Sequence, residues 1–419
     1  MVMEETILHC DLNCFYASVE MLFNPELRKV PMAVGGDVEA RHGIILTKNA
    51  LAKRAGVSTG EPLWKSYQKC PELVIVPPRF KLYLEFSNKV MNIYRDYTDK
   101  IESFGIDEAW LDVSASLRLY PSPVYIANEI IQRVHSELGL TLSIGVSDNK
   151  IFSKLGSDLA GTQEMVLIKR ESLHETIYPL PVNKLLFIGS QTTKKLYELG
   201  VHTIGDLAEC TDEYLTRRFG KWGRLMYQLS HGIDQGGVLN DYHGPAIKSI
   251  GNSITAVRDL HSWDDIKIIV YRLAESVADR LREQGFVAWG VAVSGRDFEL
   301  HSQSKQRKLD HTIESSADIV TVALALIEEL YDFEKPLRGI GIKVFQLVAH
   351  GDYQVFDLFS EVNDPKESQI DEALATIRRR FGPYSVGRAI LAMDSHLSHF
   401  YPKSEHVIYP ISYLKEGIK

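Results

Sequence analysis

Three carboxylates stand at the ends of predicted strands and could together hold a divalent cation. Asp11 follows an apolar strand predicted over residues 6–9, and Asp107 and Glu108 follow the turn of a predicted hairpin at Phe104-Gly105. Neighbours on a regular strand point to opposite faces, so both acids reach one site only at an irregular strand end, which the glycine permits. Alternatively, Asp11 caps the following helix and Asp107 begins a turn, and the spacing leaves both interpretations open.

The chemistry that such a group of acids could support is phosphoryl transfer. Converging carboxylates repel one another unless a cation lies between them. Mg²⁺ prefers oxygen ligands and is held by a few carboxylates together with the phosphates of a substrate. Two such ions about 3.5–4 Å apart would clamp the attacking and the leaving oxygen.

The composition is typical of a multidomain globular protein. The chain has 419 residues, and at about 100–200 residues per domain this length suggests three or four domains. The net charge is -8, so binding to nucleic acid would depend on local basic patches. No apolar stretch approaches the roughly 18 residues of a membrane span, no export signal is visible, and the cysteines form no CxxC pair. We expect a cytoplasmic protein with reduced thiols and no membrane contact.

Hydrophobic periodicity divides the chain into an α/β part, a helical part and an α+β part. In residues 1–170 the predicted strands are 6–9, 44–47, 109–113 and 141–146, and the predicted helices are 48–55, 81–98, 124–138 and 149–160. In residues 171–238 short helices are predicted over 173–177, 191–199, 204–208 and one ending near Gly220. Beyond a linker, the predicted strands are 247–257, 286–301 and 338–350, and the predicted helices are 264–284 and 315–331. In the tail, one helix is predicted over 370–381.

Four segments resemble, in order, motifs of the Y-family, the translesion DNA polymerases. Two catalytic motifs of that family are matched by DLNCFYASVE (11–20) and FGIDEAWLDVS (104–114). The third palm motif is matched by LSIGVSDNKIFSKLGSDLA (142–160), and the start of the little finger by IGNSITAVRDL (250–260). The resemblance runs from about residue 5 to 350 and is strongest to the bacterial DNA polymerase IV branch.

This resemblance implies a right-hand polymerase fold, α/β and α+β and multidomain, with a palm, small fingers, a helical thumb containing a helix-hairpin-helix motif, and a little finger. We expect the palm at 1–30 and 79–170, the fingers at 31–78, the thumb at 171–238, a linker at 239–246, the little finger at 247–350 and a C-terminal tail at 351–419.

The resemblance also implies roles for the acids. Asp11 and Asp107 would bind two magnesium ions, Glu108 would complete the catalytic site, and the backbone carbonyl of Leu12 would be a further ligand. Tyr16 matches the steric gate, an aromatic ring that excludes the ribose 2′-hydroxyl; without the resemblance it would pass as a core aromatic residue.

Other residues are expected to bind the nucleotide and the DNA. The triphosphate would be held by backbone N–H groups around Cys14 and Phe15 and by the segment that carries Thr47 and Lys53. The primer–template would be gripped by Gly189, Lys194 and Lys195 of the helix-hairpin-helix motif and by Lys305 and Arg307 of the little finger. The alternative for the first segment is an ordinary helical turn. The alternative for the second is a run of charged residues that is exposed to solvent and binds nothing.

The tail contains YQVFDLF (353–359), which resembles the motif by which bacterial polymerases bind the sliding clamp. Gln354 takes the leading position, and Leu358 and Phe359 would be the anchors. A buried edge strand is the alternative. Polymerase IV chains commonly end near this motif, whereas 60 residues follow it here; among them Arg378–Arg380 look like a surface helix end.

The chain departs from the family at the triphosphate. A tyrosine and an arginine of the family correspond to Ala50 and Lys53, and a lysine that ends the third palm motif corresponds to Gly161. We expect Lys53 to remain the phosphate donor, helped by other cations, for which Lys48, Arg54 and Lys150 are the candidates.

These observations together predict a low-fidelity, template-directed DNA polymerase that acts as a monomer on primer–template DNA and deoxynucleoside triphosphates, in lesion bypass. A nucleotide cyclase with a similar palm and a non-catalytic polymerase-like scaffold are the alternatives. The duplex-gripping segments disfavour a cyclase, and the intact acids disfavour a scaffold.

Overall fold

The computed structural model describes residues 5–36, 43–234, 236–239, 247–331, 335–350 and 365–402. The described residues fall into two compact units, the first built from residues 5–35 and 44–239 and the second from residues 247–402. Within these residues, no helix is both long enough and apolar enough to cross a membrane.

The first unit contains two sheets and a set of helices. Its strands are β1 (Ile7–Leu12), β2 (Met32–Gly35), β3 (Ile45–Lys48), β4 (Val74–Val76), β5 (Ile101–Ser103), β6 (Glu108–Asp112), β7 (Leu142–Ser147) and β8 (Met165–Leu167). The helices that follow or cover these strands are α1 (Phe15–Phe23), α2 (Ala50–Arg54), α3 (Leu63–Lys69), α4 (Phe80–Arg95), α5 (Pro123–Leu138) and α6 (Lys150–Leu159). The helical part beyond them contains α7 (Leu173–Thr176), α8 (Ser190–Glu198), α9 (Ile204–Glu209), α10 (Asp212–Phe219) and α11 (Lys221–Ser230).

The larger sheet has the strand order β5-β6-β1-β7-β8, with β1 between two antiparallel neighbours. Alternate residues of a strand point to opposite faces. Leu8, Cys10 and Leu12 therefore face one side, where they join the core formed with α4 and α5. His9 and Asp11 face the other side, which α6 covers. One face of the sheet thus supplies the hydrophobic core, and the opposite face carries the polar residues.

Helix α6 approaches the sheet very closely at Gly145 in β7. A Cβ atom at this position would lie 1.9 Å from the carbonyl oxygen of Ser153 and 2.4 Å from the nitrogen of Ser157, both in α6. Only glycine therefore fits, and its replacement by alanine would push the helix away from β1. This contact fixes the distance between α6 and the sheet, and therefore the position of the α6 side chains relative to His9 and Asp11.

The smaller sheet has the order β3-β2-β4 and its own small core. Asn49 holds the start of α2 against it. The buried Asn49 side chain accepts hydrogen bonds from the backbone N–H of Ala52 (3.0 Å) and Met32 (3.2 Å) and donates one to the carbonyl of Val30 (2.8 Å). This N-cap sets the position of Lys53 on the short helix.

Helix α11 was not predicted from the sequence, which indicated helices only as far as Gly220. It packs closely on α10, since a Cβ atom at Gly223 would lie 2.0 Å from the carbonyl oxygen of Leu215. Trp222, Leu225, Met226 and Leu229 follow the helical spacing, so the periodicity was present, but Gly220 and Gly223 lower the helix propensity of the first turn.

The second unit is an antiparallel sheet with helices on one face. Its strands are β9 (Ser249–Leu260), β10 (Phe286–Asp297), β11 (Ser302–Ile313) and β12 (Leu337–Ala349), in the order β11-β10-β12-β9. Its helices are α12 (Trp263–Glu283), α13 (Ser316–Glu328), α14 (Pro365–Phe381) and α15 (Ser395–Ser398). The strand predicted over 286–301 is β10, which ends four residues earlier at Asp297, and the strand that follows the turn, β11, was not predicted. Strand β11 is a polar edge strand without apolar alternation, so periodicity could not reveal it.

Residues 365–402 belong to the second unit and pack against α12 and β9. Leu391, Leu397 and Phe400 belong to its hydrophobic core, and Arg272 donates to the carbonyl oxygen of Phe400 at 3.0 Å. Arg378 is buried and lies 2.9 Å from the carboxylate of Glu275, so the interpretation of Arg378–Arg380 as a mere surface helix end was wrong for this residue. The predicted clamp-binding residues Gln354, Leu358 and Phe359 lie outside the described residues.

Candidate active site

The structure places Asp11 and Glu108 directly opposite each other in neighbouring strands. They are register partners in the antiparallel β1–β6 pair, and cross-strand partners point to the same face of a sheet. Asp107 precedes β6 and accepts, through its backbone carbonyl, a hydrogen bond from the N–H of Leu12 at 3.0 Å. Asp107 lies outside the regular strand, so its side chain is free of the alternation that would turn it away from Glu108.

A lysine that the sequence reasoning missed contacts this group of acids. The Lys154 ammonium lies 2.6 Å from Glu108 Oε2, 3.2 Å from Asp11 Oδ2 and 3.1 Å from Asp158 Oδ1. Its side chain is only 13% exposed. Lys154 and Asp158 are four residues apart on α6 and thus share one side of the helix.

His9 lies beneath Glu108 and is fully buried. The Ser157 hydroxyl lies 2.7 Å from His9 Nδ1 and 2.8 Å from the carbonyl oxygen of Lys154. The other ring nitrogen, Nε2, lies 3.4 Å from Glu108 Oε2. Burial lowers the pKa of His9, so the ring is neutral and Lys154 supplies the positive charge that touches the acids.

The positive charge of Lys154 affects the three acids unequally, as the directions of their pKa shifts show. Burial, followed by the charges of Asp11 and Glu108, raises the pKa of Asp107 to about 7. Burial also raises the pKa of Asp11, against the opposing effect of Lys154. For Glu108, contacts with His9 and Lys154 outweigh burial and lower the pKa to about 2. One ammonium therefore does not balance the three acids, and this oxygen-rich, negatively charged site suits a hard divalent cation.

Tyr16 lies close to the acids on the first turns of α1. Its ring stacks on Tyr83 with centroids 4.4 Å apart and meets Phe80 edge to face at 6.1 Å. Burial and the charge of Asp107 raise the pKa of the Tyr16 phenol to about 12, so the hydroxyl stays protonated. The ring is thus held in a fixed orientation by aromatic neighbours.

The start of α1 forms a turn around Cys14. This residue is the N-cap and has a left-handed backbone (φ 51°), and the helix runs for nine residues from Phe15. The N–H groups of the first helical residues have no acceptor within the helix. Cys14 is exposed, and partial desolvation raises the pKa of its thiol, whereas nearby Lys53 and Lys48 act to lower it. Both lysines therefore lie close to this helix start.

The departures from the family motifs can be located in the structure. Ala50 and Lys53 are exposed on α2, and Thr47 is half-buried in β3. Gly161 lies near the acids, because its carbonyl accepts from Ser143, the β7 partner of Asp11, at 2.9 Å. A Cβ atom at Gly161 would meet the carboxylate of Glu164 at 2.5 Å. A side chain there would require that flexible carboxylate to move.

Lys150 is not available to a triphosphate, contrary to one suggestion of the sequence. It is buried, its ammonium lies 3.0 Å from Glu102 Oε2, and the ring of Trp110 is 5.7 Å away. Lys150 thus stabilises the interior, whereas Lys48 reaches the Thr59 hydroxyl at 3.0 Å from a partly exposed position.

The predicted DNA-binding residues lie on two separate elements. Gly189 is the N-cap of α8, no atom lies within 4 Å of a Cβ built there, and Lys194 and Lys195 are exposed on the same helix. Lys305 and Arg307 lie in edge strand β11 and both pair with Glu329; the Lys305 ammonium is 2.8 Å from its carboxylate. Phosphates would have to compete with Glu329 for these two cations.

Comparison with known proteins decides the family. The family model described as "impB/mucB/samB family" matches residues 10–158, and that of its C-terminal domain matches residues 247–355. A third model, "DNA polymerase-iota, thumb domain", matches residues 186–234. The chain belongs to the Y-family of DNA polymerases. It is therefore a DNA-directed DNA polymerase of the translesion type, and neither the cyclase nor the scaffold alternative is supported.

Relatives of this polymerase cover nearly its whole length. DNA polymerase IV of Acetivibrio thermocellus is 45% identical over 398 residues, which are 94% of this chain and 100% of the relative. DNA polymerase IV of Moorella thermoacetica is 36% identical over 92% of this chain and 96% of the relative. A solved "Y-family DNA polymerase chimera Dbh-Dpo4(243-245)-Dbh" has a TM-score of 0.73 at 26% identity and covers 82% of this chain and 99% of that chain.

The family match confirms the right-hand polymerase fold with a helix-hairpin-helix thumb. Polymerases of this kind use DNA and nucleotides as substrates and divalent metal ions as cofactors. The donor set of Asp11, Asp107 and Glu108 fits such an ion.

Proposed function

We propose that this Y-family polymerase extends a DNA primer past damaged template bases with two Mg²⁺ ions bound by Asp11, Asp107 and Glu108. The observation that carries the proposal is the pairing of Asp11 with Glu108 across β1 and β6, with Asp107 beside them. The Leu12 carbonyl, one residue beyond Asp11, would be a further ligand. When bound, Mg²⁺ would neutralise developing charge on the transferred phosphoryl group and lower the pKa of the primer hydroxyl.

The chain's own residues would bind and orient the nucleotide. The N–H groups around Cys14, Phe15 and Tyr16 form the N-terminus of α1. Such a helix end favours the binding of anions. Thr47 and Lys53, on the neighbouring β3 and α2, would hold the outer phosphates. The Tyr16 ring, fixed against Tyr83, would form the floor beneath the sugar and exclude a 2′-hydroxyl.

The proposed division of the chain follows from these roles. Residues 1–30 and 79–170 would form the palm, 31–78 the fingers, 171–238 the thumb, 239–246 a linker and 247–350 the little finger. The α8 residues Gly189, Lys194 and Lys195 would bind the duplex backbone from the thumb, and Lys305 and Arg307 would do so from the little finger after leaving Glu329. We propose that the polymerase works as a monomer in the cytoplasm, where bacterial DNA lies.

Primer extension tests this function. Purified protein with Mg²⁺ and all four deoxynucleotides should extend a primer on an intact template and on templates with an abasic site or a bulky adduct. Omitting Mg²⁺ should stop extension. Extension on intact templates alone would contradict the lesion-bypass role.

The nucleotide affinity should depend on Lys53. Each charge-assisted hydrogen bond is worth roughly 1.5–3 kcal/mol, so Lys53→Ala should raise the KM for deoxynucleotides about tenfold or more. Gly161→Lys should lower KM, although the adjacent Glu164 carboxylate would compete for the new ammonium. Steady-state kinetics would measure both effects, with exposed Lys65→Ala as the control. A KM within about twofold of wild type for Lys53→Ala would contradict the assignment.

A clamp-binding role is proposed for Gln354, Leu358 and Phe359. Aromatic and aliphatic anchors of an extended segment suit an apolar groove on a partner. Replacing Leu358 and Phe359 by Ala should remove the stimulation of processive synthesis by the cognate sliding clamp, with clamp-free extension retained. Equal stimulation of the variant and the wild type would assign these residues to the protein's own structure.

A further inference from the structure

We propose that the Lys154 ammonium is a resident counter-ion that fills the cation site of the metal-free enzyme and moves to Asp158 when a divalent ion enters. The proposal rests on the metal-binding role proposed above for Asp11, Asp107 and Glu108. It adds a residue that competes with the metal and a second residue that receives the displaced charge.

The contacts of Lys154 are those of a cation shared among ligands. Its ammonium lies 2.6 Å from Glu108 and 3.2 Å from Asp11, which are paired across two strands. A divalent ion that binds the same two carboxylates must take this space, and the two positive charges would repel each other at such distances. Lys154 and the metal therefore exclude each other from this position.

Asp158 offers the displaced ammonium another partner. Its Oδ1 atom is already 3.1 Å from Lys154 Nζ, and its side chain is 41% exposed, whereas that of Lys154 is 13% exposed. The two residues are one helical turn apart on α6, so rotation about the lysine side-chain bonds can shift the ammonium towards Asp158 without moving the backbone. The site thus contains both a resident ammonium, that of Lys154, and a second carboxylate, that of Asp158, with which the ammonium can pair after it is displaced.

The displacement of the ammonium cannot come from a movement of the α6 backbone away from the sheet. Ser153 and Ser157, on either side of Lys154, meet Gly145 of the sheet so closely that a Cβ atom there would lie 1.9 Å from one and 2.4 Å from the other. Ser157 also joins His9 and the carbonyl of Lys154 in hydrogen bonds of 2.7 and 2.8 Å. The exchange between ammonium and metal is therefore confined to the Lys154 side chain.

Two variants should change metal affinity in opposite directions. Lys154→Met removes the competitor and should tighten Mn²⁺ binding about fivefold or more. Asp158→Asn removes the alternative partner, holds Lys154 on Asp11 and Glu108, and should weaken Mn²⁺ binding by about twofold to threefold. If Lys154 served only to hold the ligands in place, Lys154→Met would weaken Mn²⁺ binding instead of tightening it.

The measurement is a titration of the DNA-free full-length protein with Mn²⁺, in which the EPR signal of aqueous Mn²⁺ reports the unbound ion. Only binding that disappears in Asp107→Asn is counted, because the group of Asp297, Glu299 and His301 could hold Mn²⁺ elsewhere. Lys89→Met is the control for charge loss, since Lys89 is also ion-paired, with Glu85 at 2.9 Å, but lies on α4.

Thermal unfolding gives a second readout that requires no activity. In EDTA, Lys154→Met should unfold at a lower temperature than wild type, because Asp11, Glu108 and Asp158 then lack a counter-charge, and Mg²⁺ should raise its Tm by more than that of wild type. Unchanged or weaker Mn²⁺ binding by Lys154→Met would overturn the proposal; if this variant does not fold, unchanged or tighter binding by Asp158→Asn would do so. Absence of Asp107-dependent Mn²⁺ binding in wild type would instead reject the metal site itself, and this proposal with it.

Discussion

Replacing Asp107 by Asn or Glu108 by Gln is expected to abolish primer extension while primer–template binding stays nearly unchanged. Each change removes a charge from the group that would hold the metal ions, whereas the duplex would be bound by Lys194, Lys195 and other surface cations. Loss of one preorganised electrostatic contact to a transition state costs about a hundredfold or more in rate. Single-turnover extension and equilibrium DNA binding, measured on the same preparations, would separate the two effects.

The controls for these variants are the same chemical changes at exposed ion pairs. Asp96 pairs with Arg133 at 2.9 Å, and Glu85 pairs with Lys89 at 2.9 Å. Asp96→Asn and Glu85→Gln should leave extension close to wild type. Extension within about tenfold of wild type for both Asp107→Asn and Glu108→Gln would contradict the metal assignment.

Tyr16→Ala is expected to admit ribonucleotides. The Tyr16 ring is fixed by stacking on Tyr83 and by the edge contact with Phe80. In the proposed role its removal would open the space beneath the sugar. The ratio of ribonucleotide to deoxynucleotide insertion should rise at least about tenfold, which corresponds to about 1.4 kcal/mol. Single-nucleotide insertion on one template would give this ratio directly.

Tyr16→Phe is the matched control for this prediction. It keeps the ring and removes only the hydroxyl, so steric exclusion predicts an unchanged ratio. A rise in the Phe variant would show that the hydroxyl, and not the ring, discriminates between the sugars. An unchanged ratio in Tyr16→Ala would make Tyr16 a packing residue and assign the gate to another side chain.

The elements with strong periodicity could be predicted from the sequence. The helix predicted over 81–98 is α4 (Phe80–Arg95), and its apolar face is buried in the core. Strand β11 could not be predicted from periodicity, because most of its residues are polar. Helix α11 was missed although Trp222, Leu225, Met226 and Leu229 follow the helical spacing, because Gly220 and Gly223 interrupt the helix-forming sequence. Residues 365–402 gave no sign of belonging to the second unit, since Arg378 and Asp371, charged residues that are usually exposed, are buried there in ion pairs.

The environment of the acids was equally hidden from the sequence. Lys154 and Lys150 are four residues apart in one motif, yet Lys154 contacts Asp11 and Glu108 whereas Lys150 pairs with Glu102 in the interior. A linear sequence cannot distinguish them, because the difference arises from how α6 crosses the sheet at Gly145. His9 is part of the apolar-looking strand 6–9, and only the register of β1 with β6 shows that it lies beside Glu108.

By itself, the sequence determined the family, through four ordered motifs, and it singled out Asp11, Asp107 and Glu108 as candidate metal ligands, because residue types and their spacing are local properties of the chain. The tertiary structure alone decided which charges meet. Asp11 and Glu108 are 97 residues apart and become neighbours through strand pairing, and Lys154 joins them because glycine lets a helix approach the strand closely. Contacts of this kind depend on the register of strands and the height of a helix above a sheet, and neither is encoded in the spacing of residues along the chain.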